Sequence, residues 1–324
     1  MRPVVGVDLG GTKIYTVAAD AAGRVLAELK VPTPKEEGYR AVVRSIAATV
    51  REVWRQAGLP EDGPAAVGLG APGPLDAAAG VVFHAPNLGW RDVPLRDDVR
   101  AEVGVPVYLD NDARLAALGE HVFGAGRGAR DMLYVGVGTG IGGGMIIDGK
   151  VYRGTGGAGE IGHVTVLPEG PPCNCGNRGC LEAVASGTAI TREARALIAA
   201  GGGKAILARA GEAEKVTALT VAAAALGGDP EAREVLFRAA RFLGIGLATA
   251  VNLLSPELVV LGGGIMQSAE LLWAEMEKEF AGRALQANRA RVRLAQAALG
   301  GRAGGLGAVA LAIKMSEAGG RRSE

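Results

Sequence analysis

Short apolar runs punctuated by glycine and aspartate open the chain. Val4-Val5-Gly6-Val7 has the unbroken apolar character of a buried strand, and Gly10-Gly11 follows as a turn. Ile14-Tyr15-Thr16-Val17-Ala18 and the segment Val25 to Val31 flank a polar turn at Asp20 to Gly23. This spacing predicts three strands joined by tight turns, an antiparallel meander. From Glu36 to Ala57 the period changes. Val42, Val43, Ile46, Val50, Val53 and Trp54 form an apolar stripe at helical spacing, which predicts an amphipathic helix. Ala66 to Leu69 and Val105 to Leu109 read as further strands, and Asp112 to Phe123 as a helix capped by Asn111 or Asp112.

The second half is helix-rich from Leu181 through Leu254. Leu258-Val259-Val260-Leu261 then reads as a strand ending in Gly262-Gly263-Gly264. A helix over Ser268 to Phe280, a last strand over Val292 to Ala295 and a C-terminal helix over Leu306 to Met315 complete the pattern. The most informative feature is a repeat. Tyr134-Val135-Gly136-Val137-Gly138-Thr139-Gly140 echoes Val4-Val5-Gly6-Val7-Asp8-Leu9-Gly10, and each copy continues as a strand and a polar turn. So wide a separation rules out a solenoid. It predicts two similar α/β domains across a cleft.

A length of 324 residues suits two domains. The expected division is an N-terminal domain over 1–110, completed by the C-terminal helix at roughly 304–324, and a larger domain over 111–303. Lys+Arg 35 against Asp+Glu 34 leaves a net charge of +1, which gives no electrostatic footprint for nucleic acid. The Arg321-Arg322 pair reads as a solvated tail. Residues 1–12 carry no signal-peptide pattern. The apolar run Phe242 to Leu254 is too short to span a bilayer. No membrane partner is expected, and the three cysteines, all within eight residues, point to a reducing cytoplasm rather than a disulfide framework.

Three glycine loops directly follow strands: Asp8-Leu9-Gly10-Gly11-Thr12-Lys13, Gly138-Thr139-Gly140-Ile141-Gly142-Gly143 and Gly262-Gly263-Gly264. Glycine lets backbone N–H groups approach phosphates closely. The second loop matches the dinucleotide G-x-G-x-x-G pattern, but that motif requires a following helix. Here Met145-Ile146-Ile147 and Asp148-Gly149 predict a β-hairpin instead. Asp8 beside such a loop repels phosphate unless a cation intervenes, which suggests Mg²⁺ held through water; the alternative is an Asx cap of the turn. Asp110-Asn111-Asp112 lies between a strand and a helix, where α/β sites form. Asp112 there suits a base that accepts a hydroxyl proton during phosphoryl transfer, and a plain helix cap is the alternative. C-x-C-x₄-C at Cys173, Cys175 and Cys180, with His163 ten residues upstream, supplies a closed Cys₃His set suited to structural Zn²⁺. The imidazole nitrogen that zinc leaves over needs another partner. His84 and His121 have no such neighbours.

Taken together these segments resemble the ROK family of sugar kinases and sugar-responsive repressors, within the actin-like ATPase fold. The resemblance rests on Asp8 to Lys13, Gly70-Ala71-Pro72-Gly73-Pro74, Pro86-Asn87-Leu88-Gly89-Trp90, Asn111-Asp112-Ala113, Gly138 to Gly144, Gly159-Glu160-Ile161-Gly162-His163, Cys173 through Glu182, and Leu261 to Gly264, in family order. It implies two actin-like, ribonuclease H-like domains flanking a cleft, with mixed sheets and helices on their faces. By the same resemblance Asp112 is the base, and Asn87, Asn111, Asp112, Glu160, His163 and Glu182 hold the sugar. Gly10, Gly11, Thr12, Lys13, Gly138, Thr139 and Gly140 hold nucleotide phosphates, with Gly262, Gly263 and Gly264 near the adenosine. The implied reaction is ATP- and Mg²⁺-dependent phosphorylation of a hexose at O6, glucose first, with fructose, mannose or an N-acetylhexosamine as alternative acceptors. A homodimer or homotetramer is the family habit. A repressor role is disfavoured, because the first glycine loop begins at Asp8 and leaves no room for a preceding DNA-binding region.

Overall fold

The computed structural model describes residues 2–320; Arg321 and Arg322 lie outside the described residues. The chain divides into two compact units. The first holds the residues up to Arg130, Gly144–Gly159 and the segment from Gly301, and the second holds Asp131–Gly143 and Glu160–Gly300.

In the first unit the opening strands are β1 (Val4–Leu9), β2 (Lys13–Ala19) and β3 (Val25–Pro32), followed by helix α1 (Tyr39–Gln56). Strand β4 (Val67–Ala71) leads into a small antiparallel sheet of β5 (Leu75–Asp76), β6 (Val81–Ala85) and β7 (Trp90–Val93). Then come α2 (Leu95–Val103), β8 (Val107–Asn111) and α3 (Asp112–Phe123). The main sheet has the order β3-β2-β1-β4-β8. Strands β1 to β3 form the predicted antiparallel meander, whereas β4 and β8 run parallel to β1. The whole predicted stripe of α1 is buried against this sheet, with Val5, Val7, Leu9, Val67 and Leu69 beneath it.

The other face is covered by α11 (Ala303–Gly320), whose Val309 and Ala312 are buried with Val4, Tyr15, Val17 and Ala66. Glycine makes that approach possible. A Cβ on Gly68 would stand 1.9 Å from the Ala308 carbonyl oxygen. Compactness keeps α3 in the first unit, whereas the division after residue 110 separates it from β8. Its Leu115 and Leu118 are buried with Ala308, Ala310 and Leu311 of α11.

The second unit is built on β9 (Met132–Val137), β12 (Leu258–Gly262) and β13 (Arg293–Gln296), mutually parallel. Its helices are α4 (Leu181–Ala185), α5 (Gly187–Ala199), α6 (Lys204–Ala210), α7 (Ala218–Leu226), α8 (Pro230–Leu254), α9 (Ala269–Arg283) and α10 (Gln286–Arg289). The hairpin of β10 (Ile141–Ile147) and β11 (Lys150–Tyr152) extends this sheet, giving the order β11-β10-β9-β12-β13. The unit boundary falls within β10, after Gly143. Asp148 and Gly149 turn the hairpin at φ +51° and +71°, the backbone a two-residue turn of this hand requires. The two sheets therefore share one strand order, first meander then two parallel strands, and the sequence repeat marks its first strand in each. Among the described residues no helix is long and apolar enough to cross a membrane.

Candidate active site

Because β1, β4 and β8 are parallel, their C-terminal ends share one edge of the first sheet, the edge where α/β folds place ligands. Asp8 pairs with Tyr15 and Gly70 near the end of β1. Part of its surface stays accessible, yet protein atoms crowd it: a Cβ on Gly304 would lie 2.6 Å from its carboxylate. Desolvation pushes its pKa up to about 6, against a smaller opposing pull from Lys13. The loop beyond is closed by Gly10 N–H donating to the Lys13 carbonyl at 2.9 Å, so that donor is not capped by Asp8. Thr33 fixes the loop from behind, its hydroxyl donating to the Gly10 carbonyl at 2.7 Å and its N–H to the Thr12 carbonyl at 3.0 Å. Thr12 and Lys13 are exposed.

Asn87 is brought to the same loop. It sits in the turn between β6 and β7, exposed, and a Cβ on Gly11 would stand 3.1 Å from the Asn87 Cβ. At the end of β8, Asn111 is the cap of α3. Its Oδ1 accepts from Ala113 N–H at 3.0 Å and Arg114 N–H at 3.2 Å, and its Nδ2 donates to the Gly73 carbonyl at 3.3 Å. Asp112 occupies the first helical position, partly exposed, with Oδ1 accepting from its neighbour's N–H at 2.8 Å.

Asp110 has a role the sequence did not disclose. It is fully buried. One oxygen accepts from the Asn111 N–H at 2.9 Å and from Arg114 Nε at 2.8 Å; the other takes Arg153 at 2.8 Å from Nε and 2.6 Å from the terminal nitrogen. Arg114 also donates to the Gly156 carbonyl at 2.5 Å. Two guanidinium groups thus lock the strand end that carries Asn111 and Asp112. No local pattern announced either partner: Asp110 lies in a strand, where the helical i,i+4 rule does not apply, and Arg153 is 43 residues away.

In the second unit the Gly138–Gly140 loop follows β9, and Gly262-Gly263-Gly264 ends the adjacent β12. Gly263 has φ +91°, and a Cβ there would fall 2.3 Å from the Val137 carbonyl oxygen, so only glycine fits. The start of α5 braces the Gly138 loop. Gly187 N–H donates to the Gly138 carbonyl at 2.8 Å, and Thr188 reaches the Thr139 carbonyl with its N–H at 3.2 Å and its hydroxyl at 2.9 Å. Glu182 does not stand away from the loop: its Oε2 accepts from the Ile141 N–H at 2.8 Å. Beside Gly264 lies a shallow apolar depression lined chiefly by Ala218, Leu219, Ala222, Ile265, Ser268 and Leu272.

Glu160 is exposed and begins the turn Ile161–His163, its carbonyl accepting from His163 N–H at 3.1 Å. The ligand atoms of His163, Cys173, Cys175 and Cys180 all lie within 4.8 Å of one another. His163 Nδ1 is 3.7 Å from Cys173 Sγ, and Cys175 Sγ is 3.7 Å from Cys180 Sγ. A tetrahedral zinc with Zn–S near 2.3 Å has a sulfur–sulfur edge of about 3.8 Å, so the donor set fits that ion. Burial, then the neighbouring thiols, push Cys180 up to about 12; a bound cation would reverse that. His84 is exposed, and His121 Nε2 bonds the Ala129 carbonyl at 2.8 Å.

The chain is similar to known proteins over nearly its whole length. The ROK family model matches residues 4–315. A glucokinase of Halalkalibacterium halodurans is 39% identical over 94% of this chain and 93% of its own. The structure of a ROK family glucokinase from Streptomyces griseus in complex with glucose and AMPPNP is 38% identical, covers 96% of this chain and 99% of its own, and superposes with a TM-score of 0.85. A putative xylose repressor of Caldicellulosiruptor is 35% identical over 96% of this chain but only 78% of its own. The fold of two actin-like α/β halves is the fold of these proteins, and the chain belongs to the ROK family.

Proposed function

We propose that the protein transfers the terminal phosphoryl group of ATP to O6 of a hexose, with glucose as the preferred acceptor and Asp112 as the base. The observation that carries this reading is the β8 end. A partly exposed carboxylate stands beside Asn111, the cap of α3, at a strand end fixed by the fully buried, doubly clamped Asp110. Phosphoryl transfer needs little covalent help from protein; it needs a positioned proton acceptor and stabilisation of phosphate charge. Asp112 accepts the O6 proton as the oxygen attacks. Asn87, the remaining Nδ2 hydrogen of Asn111, Glu160 and the His163 Nε2 supply hydroxyl partners. Carboxylates and carboxamides suit vicinal diols because each bonds two groups in one plane.

The loops at Gly10–Lys13 and Gly138–Gly140 offer backbone N–H groups to the phosphates. Gly262, Gly263 and Gly264, at the end of β12, are the segment assigned to the adenosine. When bound, Mg²⁺ neutralises phosphate charge; Asp8, short of solvation, is the carboxylate placed to hold it through water. A zinc ion would be structural here: His163 Nδ1 and the three thiolates would hold it, leaving Nε2 to meet a sugar hydroxyl. Elemental analysis should find about one zinc per chain, and Cys175→Ser should lower zinc content and sugar affinity together. Native protein free of zinc would contradict the assignment.

The functional test is kcat/KM for glucose, mannose, fructose, N-acetylglucosamine and N-acetylmannosamine with MgATP. Glucose should lead. A tenfold preference for fructose or an N-acetylated sugar, about 1.4 kcal/mol in transition-state binding, would overturn the acceptor. Failure to phosphorylate any hexose would overturn the kinase itself.

A further inference from the structure

The family resemblance gives Glu182 to the sugar, yet its side chain is turned to the phosphate loop. Three observations converge. Glu182 Oε2 accepts from the Ile141 N–H at 2.8 Å. The carboxylate also lies directly over Gly140: a Cβ there would stand 2.2 Å from Oε2 and 3.1 Å from Cδ. The chain that follows Glu182 continues to the same loop, where Gly187 and Thr188 donate to the Gly138 and Thr139 carbonyls.

The other end of this connection is equally short. Leu181 N–H donates to the Val164 carbonyl at 2.9 Å, and Thr165 bridges Cys180. Leu181 is fully buried, packed so closely on α8 that a Cβ on Gly246 would meet it at 2.5 Å. Glu182 therefore projects from a fixed base, two residues beyond Cys180 and next to the Leu181 contact with the segment that follows His163. A hydrogen bond to a carboxylate is stronger than one between neutral groups, so this contact is a strong constraint on a loop that otherwise has glycine's freedom.

We infer that Glu182 is a positioning residue for the nucleotide: it fixes the Gly138–Gly140 loop in its phosphate-binding shape and ties that loop to the Cys/His segment. The inference rests on the reading of that loop as a phosphate site. It separates two kinds of behaviour. A residue that only binds sugar affects sugar affinity; one that shapes the loop affects nucleotide affinity with no sugar present.

The experiment is calorimetric titration of the zinc-replete protein with the magnesium complex of AMPPNP, without sugar. Glu182→Ala should raise the Kd about tenfold or more. Glu182→Gln, whose amide oxygen still accepts from Ile141, should change it by about threefold or less. Gly140→Ala should also weaken binding, and in the Glu182→Ala background its penalty should shrink, since the clash is gone; contacting residues couple in this way. Circular dichroism and zinc content verify the fold of each variant. Should Glu182→Ala fail to fold, Thr188→Val probes the same brace from the far side of the loop and should weaken AMPPNP by a smaller factor. Native binding with an unchanged Kd in the folded variants, or strict additivity of Gly140→Ala and Glu182→Ala, would overturn the proposal alone. A native protein that binds no AMPPNP would overturn the functional reading, and this proposal with it.

Discussion

The two sheets have the same strand order, but they end in opposite chemistry. At the end of β1 stands Asp8; at the matching place after β9 stands Gly138. At the end of β8, the last strand of its sheet, stand Asp110, Asn111 and Asp112; its counterpart β13 ends in Ala295 and Gln296. The first unit collects carboxylates on its strand ends, and the second collects glycines whose carbonyls and amides are braced by α5 and Glu182. On the function proposed above, one copy of the scaffold would supply the proton acceptor and the cation ligand, and both copies would supply a glycine loop for the phosphates.

The sharpest way to break the comparison is to remove the buried charge of the first unit. Asp110→Ala leaves Arg114, itself buried, without its carboxylate. Breaking one side of a buried pair costs about 3–5 kcal/mol. The variant should show that loss in urea unfolding, and kcat should fall because Asp112 loses its support. A loss below about 1 kcal/mol would mean that the clamp is ornamental to the fold.

A smaller effect, of opposite sign, is expected at Asp8. Its carboxyl is raised from 3.8 to about 6 by desolvation. The folded protein therefore holds this proton more tightly than the unfolded chain. Stability from the group is complete below about pH 3.8 and is lost as pH rises through 6. Above that window the ionised group costs up to about 3 kcal/mol. Asp8→Asn should accordingly be more stable than the native protein at pH 8 in the presence of EDTA, with the gap shrinking as pH falls toward 5. Equal gaps at pH 8 and pH 5 would refute the desolvation account. Activity should fall in the same variant, the trade that a strained functional group imposes.

Much of this division was legible in the sequence because it is written in local pattern. Apolar runs ending in glycine located the strands and loops. The Asp148-Gly149 turn distinguished a hairpin from a dinucleotide fold, and the helix start narrowed its cap to Asn111 or Asp112, of which the fold uses Asn111. The Cys₃His set was readable from spacing alone. What stayed hidden depends on partners far apart in the chain. Arg153 reaches Asp110 across 43 residues, and Glu182 reaches Ile141 across 41; no periodicity encodes such pairs. The small sheet β5-β6-β7, which carries Asn87 to Gly11, escaped because its strands are too short to show an alternation. The place of α3 is decided by the face it buries on α11, which only the folded chain reveals.

The central claim is that Asp112 removes the acceptor proton, and one substitution tests it most directly. Asp112→Asn keeps the size of the side chain and its bond from the Ala113 N–H, but it cannot take a proton. Initial rates with glucose and MgATP, alongside glucose affinity by calorimetry, separate chemistry from binding. The account predicts a fall in kcat of about 10²–10⁴, with glucose affinity largely kept. A variant that binds glucose and turns over at close to the native kcat would contradict it.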